Sequence, residues 1–120
     1  MCCFHSQSTA PNWKWLGAAE RWAQQGVEIG RSIRGRLLLV EGLAVLAGIA
    51  RRRGALARAG LLWGAVEAEE VRAPLGAWDG YRAEFAAGVV CLDESFAAGR
   101  AEGRKLTLDA AIEHALGAIE

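Results

Sequence analysis

This chain of 120 residues has few prolines and few cysteines, and its formal net charge is zero. The sequence has only two prolines, and its 14 basic side chains balance its 14 acidic ones. A balanced chain has no overall field to draw it onto nucleic acid or an anionic membrane, so direct binding to either is not expected. The longest apolar run, over 37–50, is interrupted by Glu41 and falls short of the roughly 18 residues of a membrane-spanning helix.

The three cysteines do not suggest a disulfide framework. Their number is odd, and Cys2 and Cys3 are adjacent, so they cannot easily pair with each other. Cys91 lies in an apolar run and is most simply a small buried side chain. The first residues lack the basic and apolar regions of a secretory signal. Together these features favour a reducing cytoplasm as the location.

The N-terminal segment is polar and irregular. Cys2, Cys3 and His5 are metal-ligating residue types, but no second ligand pair follows at the spacing of a zinc site. Ends of this composition are commonly poorly ordered. We therefore predict a disordered segment over 1–12, no bound metal and no cofactor.

The remaining sequence has the composition of an all-α protein. Apolar residues make up 52% of the chain, mostly alanine and leucine, which are strong helix formers. The period of the apolar residues predicts a single domain over 13–118, built as an antiparallel helix-hairpin stack of about five to six helices. The predicted helices cover about 13–25, 32–53, 55–72, 77–92, 93–101 and 107–118. Ser32, Asp93 and Thr107 are the expected N-caps, and Gly54 is an expected stop.

Residues 40–73 carry the pattern of one tetratricopeptide-like helix pair. Small side chains at Ala47 and Ala59 would let two antiparallel helices approach closely, and large ones would fill the gaps between turns. The pattern departs from the repeat at position 71, where Val71 stands in place of a common proline. The predicted packing signature comprises Leu43, Leu46, Ala47, Ala50, Gly54, Ala59, Trp63 and Val66.

A family resemblance covers roughly residues 35–118. It rests on the apolar run 38–50, the segment that begins Gly54-Ala-Leu-Ala-Arg-Ala-Gly-Leu-Leu-Trp, Tyr81-Arg-Ala-Glu-Phe, and Phe96-Ala-Ala-Gly-Arg-Ala-Glu-Gly-Arg. In this order they resemble the C-terminal tetratricopeptide-like region of bacterial LuxR-type and SARP-type ATPase transcription regulators, and of related cyclase- or kinase-linked signalling proteins. In that family the region carries no chemistry, and the resemblance implies a stack of helices.

The features that give those regulators their activity are missing from this sequence. It contains no Gly-x-x-x-x-Gly-Lys-[Ser/Thr] phosphate loop, and no recognisable helix-turn-helix follows the last helix. The prediction is a non-catalytic protein-interaction module rather than an enzyme. The first alternative is a truncated regulatory fragment that assembles with a full-length signalling ATPase. The second, less favoured, is an unrecognised small enzyme.

Three groups of polar residues are candidate sites. Cys91 and His114 could form a nucleophile–base pair, but both lie in apolar helical patterns, where core packing is the simpler interpretation. A deep polar pocket with Glu41, Tyr81 or His114 would support an enzyme. Seven arginines could contact phosphate, or could form the polar rim of two helices: Arg31, Arg34, Arg36, Arg51, Arg52, Arg53 and Arg58.

The tryptophans near the N-terminus are the best candidates for a contact surface. Trp13, Trp15 and Trp22 precede a leucine-rich run that includes Leu39, and together these four residues form the predicted partner surface. The tryptophans could equally cover the open end of the helix stack. We expect the chain either to dimerise through residues 13–46 or to dock there on a protein partner.

Overall fold

The structure is a computed structural model that describes the backbone of residues 12–117 and the side chains of residues 15–117. Within this range the chain is entirely helical apart from its turns, which confirms the predicted all-α fold class. The segment 1–11, where most of the predicted disordered region falls, lies outside the described residues. The described part contains six helices: α1 (Asn12–Ile33), α2 (Arg36–Arg52), α3 (Leu56–Arg72), α4 (Trp78–Val89), α5 (Glu94–Gly103) and α6 (Leu108–Gly117).

Helix α1 is longer than the sequence predicted. It was expected to end near residue 25, but it continues through Gly26 and Gly30 to Ile33. The reason is tertiary packing, which overrides the low helix propensity of glycine. Gly30 is buried against the Leu39 side chain of α2, and Val27 is fully buried beside Gly42. The second half of α1 is therefore held by its contact with α2.

The turn between α1 and α2 also differs from expectation. Ser32, the predicted N-cap of α2, still belongs to α1, and its hydroxyl donates to the carbonyl of Ile29. The chain reverses two residues later, where Arg34 adopts a left-handed backbone with φ of 58°. The amide of Gly35 then donates to the carbonyl of Gly30 at 2.8 Å, so a backbone bond closes the turn where a side-chain cap was predicted.

Helices α2 and α3 form the predicted antiparallel hairpin. Gly54 ends α2 in a left-handed conformation with φ of 82°, as expected for a glycine stop. The amide of Ala55 donates to the carbonyl of Ala50 at 2.9 Å across the turn. Ala47 and Ala59 are both fully buried. This pair forms the centre of the fold, with α1 and α4 packed on α2, α5 packed on α3, and α6 against both.

The closest approach of two helices lies elsewhere, between α3 and α5. Gly60 and Gly64 of α3 face Gly99 and Gly103 of α5. A Cβ added at any one of these four glycines would stand within 2.2 Å of a backbone oxygen on the other helix. Because position 60 lies beside Phe96 and position 64 lies beside residue 100, the two helices run parallel, with their backbones in direct contact.

The last two helices begin as predicted. Asp93 caps α5, and its carboxylate accepts from the amides of Ser95 at 2.7 Å and Phe96 at 3.2 Å. Thr107 caps α6 by accepting from the amide of Ala110 at 3.1 Å.

Helix α4 ends at Val89, three residues before the predicted limit. It lies on α2 and makes little contact with α5, although the two are neighbours in sequence.

Trp78 anchors α4 to the core. Its indole ring is fully buried, with ring centroids 6.3 Å from Trp63 and 5.2 Å from Phe85. Its Nε1 donates to the Glu70 carboxylate at 2.6 Å. Because the aromatic ring has an apolar face and a polar edge, one residue joins the α2–α3 core and the ion pairs around it.

Candidate interaction surface

Four large apolar side chains on α1 face solvent. Trp15 is 72% exposed and Trp22 is 77% exposed, and Ile29 and Ile33 follow at 55% and 65%. Their spacing of seven, seven and four residues puts them within an arc of about 40° on the helix surface. We call these four residues the outer stripe of α1. A contiguous apolar patch of this kind marks a contact site more often than isolated exposed residues do.

The outer stripe borders a groove between α1 and the helices beneath it. Two shallow recesses of about 340 and 370 Å³ share Ala19 and Val45, so they form one continuous groove along α2. Trp22 lines the first recess and Trp15 the second. The rest of the lining is mainly apolar and consists of Leu16, Ala23, Gly26, Leu38, Glu41, Gly42, Ala44, Gly48, Ile49, Arg52, Glu84, Phe85, Gly88 and Val89.

Small residues create this groove. Gly26 and Gly88 have no neighbouring atom within 4 Å of where a Cβ would stand, so their missing side chains leave open space. Gly42 serves the opposite purpose, because a Cβ there would lie 2.5 Å from a methyl group of Val27. The same glycine-rich composition therefore both brings α1 close to α2 and leaves a recess beside the two tryptophans.

The groove has one notable polar pair at its edge. The Tyr81 hydroxyl of α4 donates to the Glu41 carboxylate of α2. This hydrogen bond and partial burial raise the pKa of Tyr81 above its ordinary value. Tyr81 also packs edge-on against Trp78, at 5.8 Å between ring centroids. The pair joins α2 to α4, and each of the two polar groups is the hydrogen-bond partner of the other.

The structure separates the residues predicted for the partner surface. Trp15 and Trp22 are exposed on α1, but Leu39 is only 4% exposed and packs under α1 against Gly30. Leu39 therefore does not belong to the surface, because the α1–α2 contact already covers it. The Trp13 side chain lies outside the described residues. Ile29 and Ile33 were missed because the helix was expected to end before them.

The residues of the predicted packing signature fall in the α2–α3 hairpin. Gly54 differs from the others, since it forms the exposed turn rather than a packing contact. The buried ones are Leu43, Leu46, Ala47, Ala50, Ala59, Trp63 and Val66.

The residues considered for catalysis do not meet. Cys91 lies in the connection between α4 and α5, whereas His114 is exposed on α6. His114 lines a shallow depression with Ala110, Glu113 and Gly117, and neither Glu41 nor Tyr81 lines it. Among the described residues no group of three or more His, Cys, Asp or Glu side chains is arranged to hold a metal ion. Cys2, Cys3 and His5 lie outside that range.

Several arginines that were considered for phosphate binding instead join helices. Arg36 donates to the Glu69 carboxylate at 3.0 Å and to three carbonyls at the end of α3, those of Glu69, Ala73 and Pro74. Arg58 donates to two carbonyls near the end of α6. Three more of the seven make one contact each with another part of the fold: Arg31 with Glu113, Arg51 with the carbonyl of Val90, and Arg53 with Glu20.

An ion-pair network around Glu67 was not anticipated from the sequence. The buried Glu67 carboxylate accepts from Arg100 Nε at 2.8 Å and Arg104 Nε at 3.0 Å, and Arg82 lies 3.4 Å away. Burial alone would raise the pKa of Glu67, but the hydrogen bonds and charges of Arg100 and Arg104 outweigh it and lower the pKa. The network joins α3, α4 and α5, and its sequence separations of 15 to 37 residues gave no local signal.

None of the helices in the described range combines the length and the apolar character needed to cross a bilayer. Comparison of the chain with protein families, with curated proteins and with solved structures gives no significant match.

Proposed function

We propose that the chain is a non-catalytic helical interaction module that binds a protein partner on the outer stripe of α1 and the adjoining groove. The single observation that carries the proposal is the exposure of Trp15 and Trp22 on one line of the helix, beside an apolar recess. Tryptophan is the residue type most enriched at the energetic centres of protein interfaces, where its truncation commonly costs ~2 kcal/mol or more.

The rest of the fold suits this role. Ion pairs and arginine–carbonyl bonds hold α2 to α6 together, so the surface under α1 is carried by a well-connected scaffold. A rigid scaffold lowers the entropy that a partner must overcome on binding, because fewer groups have to be ordered. The groove residues lie on helices rather than on loops, which favours a preformed site.

We further propose that the α2–α3 hairpin is a tetratricopeptide-like unit, comparable to the C-terminal end of an ATPase-type regulator, and that the protein works in the cytoplasm. The supporting observation is the burial of the small residues Ala47 and Ala59 where the two antiparallel helices meet. Assembly with a full-length signalling ATPase is the alternative form of the same proposal, with the same surface of α1 as the contact.

Site-specific photocrosslinking in the cells that make the protein tests the interaction surface. Benzoylphenylalanine is placed at Trp22 or Ile29, and at Ala98 as a control, since Ala98 is exposed on α5, whereas α1 packs on α2 and α6. Light should then produce a discrete adduct of higher mass from positions 22 and 29 only. Absence of adducts at both positions, or equal adducts from position 98, would overturn the proposal.

A further inference from the structure

We infer that the partner is a second copy of this chain, bound through an antiparallel pair of α1 helices that cross near Gln25. This inference rests on the proposed function, since it identifies the occupant of the same surface. Its basis is that the outer stripe and the charges beside it are complementary to themselves after a two-fold rotation. A two-fold interface requires this kind of self-complementarity, because each patch meets its own copy.

The apolar residues match in size and position under that rotation. Trp22 and Ile29 lie three and four residues from Gln25, on opposite sides, and Trp15 and Ile33 lie ten and eight residues away. At 1.5 Å per residue, each pair departs from perfect symmetry by only about 1.5–3 Å. In an antiparallel pair each tryptophan therefore meets an isoleucine of the other copy, and large flat rings pack on branched chains.

The charges beside the stripe specify the same polarity. Arg21 and Glu28 are both exposed, lie four and three residues from Gln25, and project within about 20° of each other on the helix surface. In the antiparallel pair Arg21 of each copy lies next to Glu28 of the other, which gives two equivalent ion pairs. A parallel two-fold pair would instead put the two Arg21 side chains on opposite flanks of the contact, where neither one meets Glu28 of the other copy.

The available area is compatible with a dimer. A fully buried tryptophan removes ~150–250 Å² from solvent. Trp15 and Trp22 are 72% and 77% exposed, so burying both in both copies removes about 450–750 Å². The isoleucines and the rim of the groove add to this, toward the roughly 1,200–2,000 Å² of a stable interface. The groove lies on the flank opposite Arg21, and the two-fold axis brings the grooves of the two copies to the same flank of the helix pair.

Sedimentation equilibrium of purified full-length variants tests the inference. The wild-type chain should be a dimer at micromolar concentration, and Trp22→Glu should be a monomer. Arg21→Glu and Glu28→Arg should each raise the dimer Kd roughly tenfold, because both ion pairs become repulsive. The matched controls Lys105→Glu and Glu102→Arg change charge on α5 and the turn that follows it and should leave the Kd unaltered. Circular dichroism checks that every variant is folded.

Mixing gives the decisive result. Arg21→Glu has two acids at the contact and Glu28→Arg has two bases, so an equimolar mixture should form a heterodimer with close to wild-type affinity. A charge-insensitive dimer, or a mixture no tighter than its components, overturns the antiparallel pairing. A wild-type chain that stays monomeric into the submillimolar range overturns the inference that the partner is a second copy of this chain. If position 22 still forms photoadducts whose mass differs from that of a dimer, the proposed function stands although the inference of a dimer fails.

Discussion

A Cβ atom on Gly60 would stand 2.1 Å from the carbonyl oxygen of Phe96, closer than any real contact of that kind. The relationship is reciprocal along the parallel helices α3 and α5, since Gly103 stands in the same position towards Leu61. Each helix thus contributes a Gly-x-x-x-Gly pair, and the two backbones touch where side chains would normally separate them. This contact positions α5 and its arginines beside Glu67.

The first prediction concerns this backbone contact. Gly60→Ala should lower the free energy of unfolding by about 1–3 kcal/mol or more, because a rigid carbonyl cannot yield to the added methyl group as a flexible side chain would. Urea unfolding followed by circular dichroism measures the change. Gly80→Ala is the control, since nothing lies within 4 Å of its Cβ position in α4. Alanine there should be neutral or stabilising by up to ~1 kcal/mol, and equal losses at both positions would contradict the packing described.

The second prediction is a pH dependence that originates at Glu67. Its folded pKa lies below the ordinary value of about 4.3–4.5, so the native state favours the ionised form. The stabilisation is therefore complete above the unfolded pKa and is lost as the pH falls through the folded pKa. Glu67→Gln should be less stable than the wild type at pH 7, and the difference should shrink below about pH 4.

Chemical unfolding at a series of pH values measures that difference. Glu102→Gln serves as the control, because Glu102 is well exposed and has a single exposed partner, Lys105. It should follow the wild-type pH curve closely. A gap between wild type and Glu67→Gln that is constant from pH 3 to 7 would show that the carboxylate charge is not the source of the stability.

The third prediction concerns Arg36, which holds the C-terminal end of α3. Its guanidinium donates to one carboxylate and three carbonyls, which a lysine cannot reproduce with a single ammonium group. Arg36→Lys should therefore destabilise the protein by about 1–3 kcal/mol, as expected when the buried Glu69 carboxylate and the helix end lose donors. Thermal and urea unfolding measure the loss. The control Lys105→Arg keeps its charge at a well-exposed position after α5 and should change stability by less than ~0.5 kcal/mol.

The fourth prediction pairs two left-handed turns. Arg34 has φ of 58° and makes the α1–α2 turn, so Arg34→Gly should stabilise the fold by a few tenths to about 1 kcal/mol through relief of strain. Gly54 has φ of 82° in the α2–α3 turn, so Gly54→Ala should destabilise by about 1 kcal/mol although space is available. Melting temperatures of the two single variants should move in opposite directions, and shifts of the same sign would contradict the assigned backbone conformations.

Local chemistry accounts for what the sequence predicted well. Asp93 and Thr107 begin helices, and Gly54 ends one, because a cap or a stop depends on a few adjacent residues. The apolar period located the α2–α3 hairpin for the same reason. These elements need no knowledge of what packs against them, so a single sequence is enough to place them.

The errors arose where distant contacts decide the outcome. Gly26 and Gly30 argued for an early end to α1, but burial of Val27 against α2 compensates for the weak propensity of both glycines. For the same reason the sequence did not predict Ile29 and Ile33 as part of the surface, and these two residues are half of the outer stripe. The repeated four-residue spacing of glycines on α3 and α5 was a usable signal of a close helix contact. Which carboxylate the arginines of α5 would meet could not be deduced from spacing alone.

The parallel direction of α3 and α5 has an electrostatic consequence. Two helices that point the same way have macrodipoles that repel each other, with both negative poles directed to one side of the molecule. Five guanidinium groups lie on that side, from Arg36, Arg72, Arg82, Arg100 and Arg104, against the three carboxylates of Glu67, Glu69 and Glu70. The surplus of two positive charges lies beside both negative helix ends. The arginines at this end therefore offset a repulsion between macrodipoles that an antiparallel pair of helices would not have.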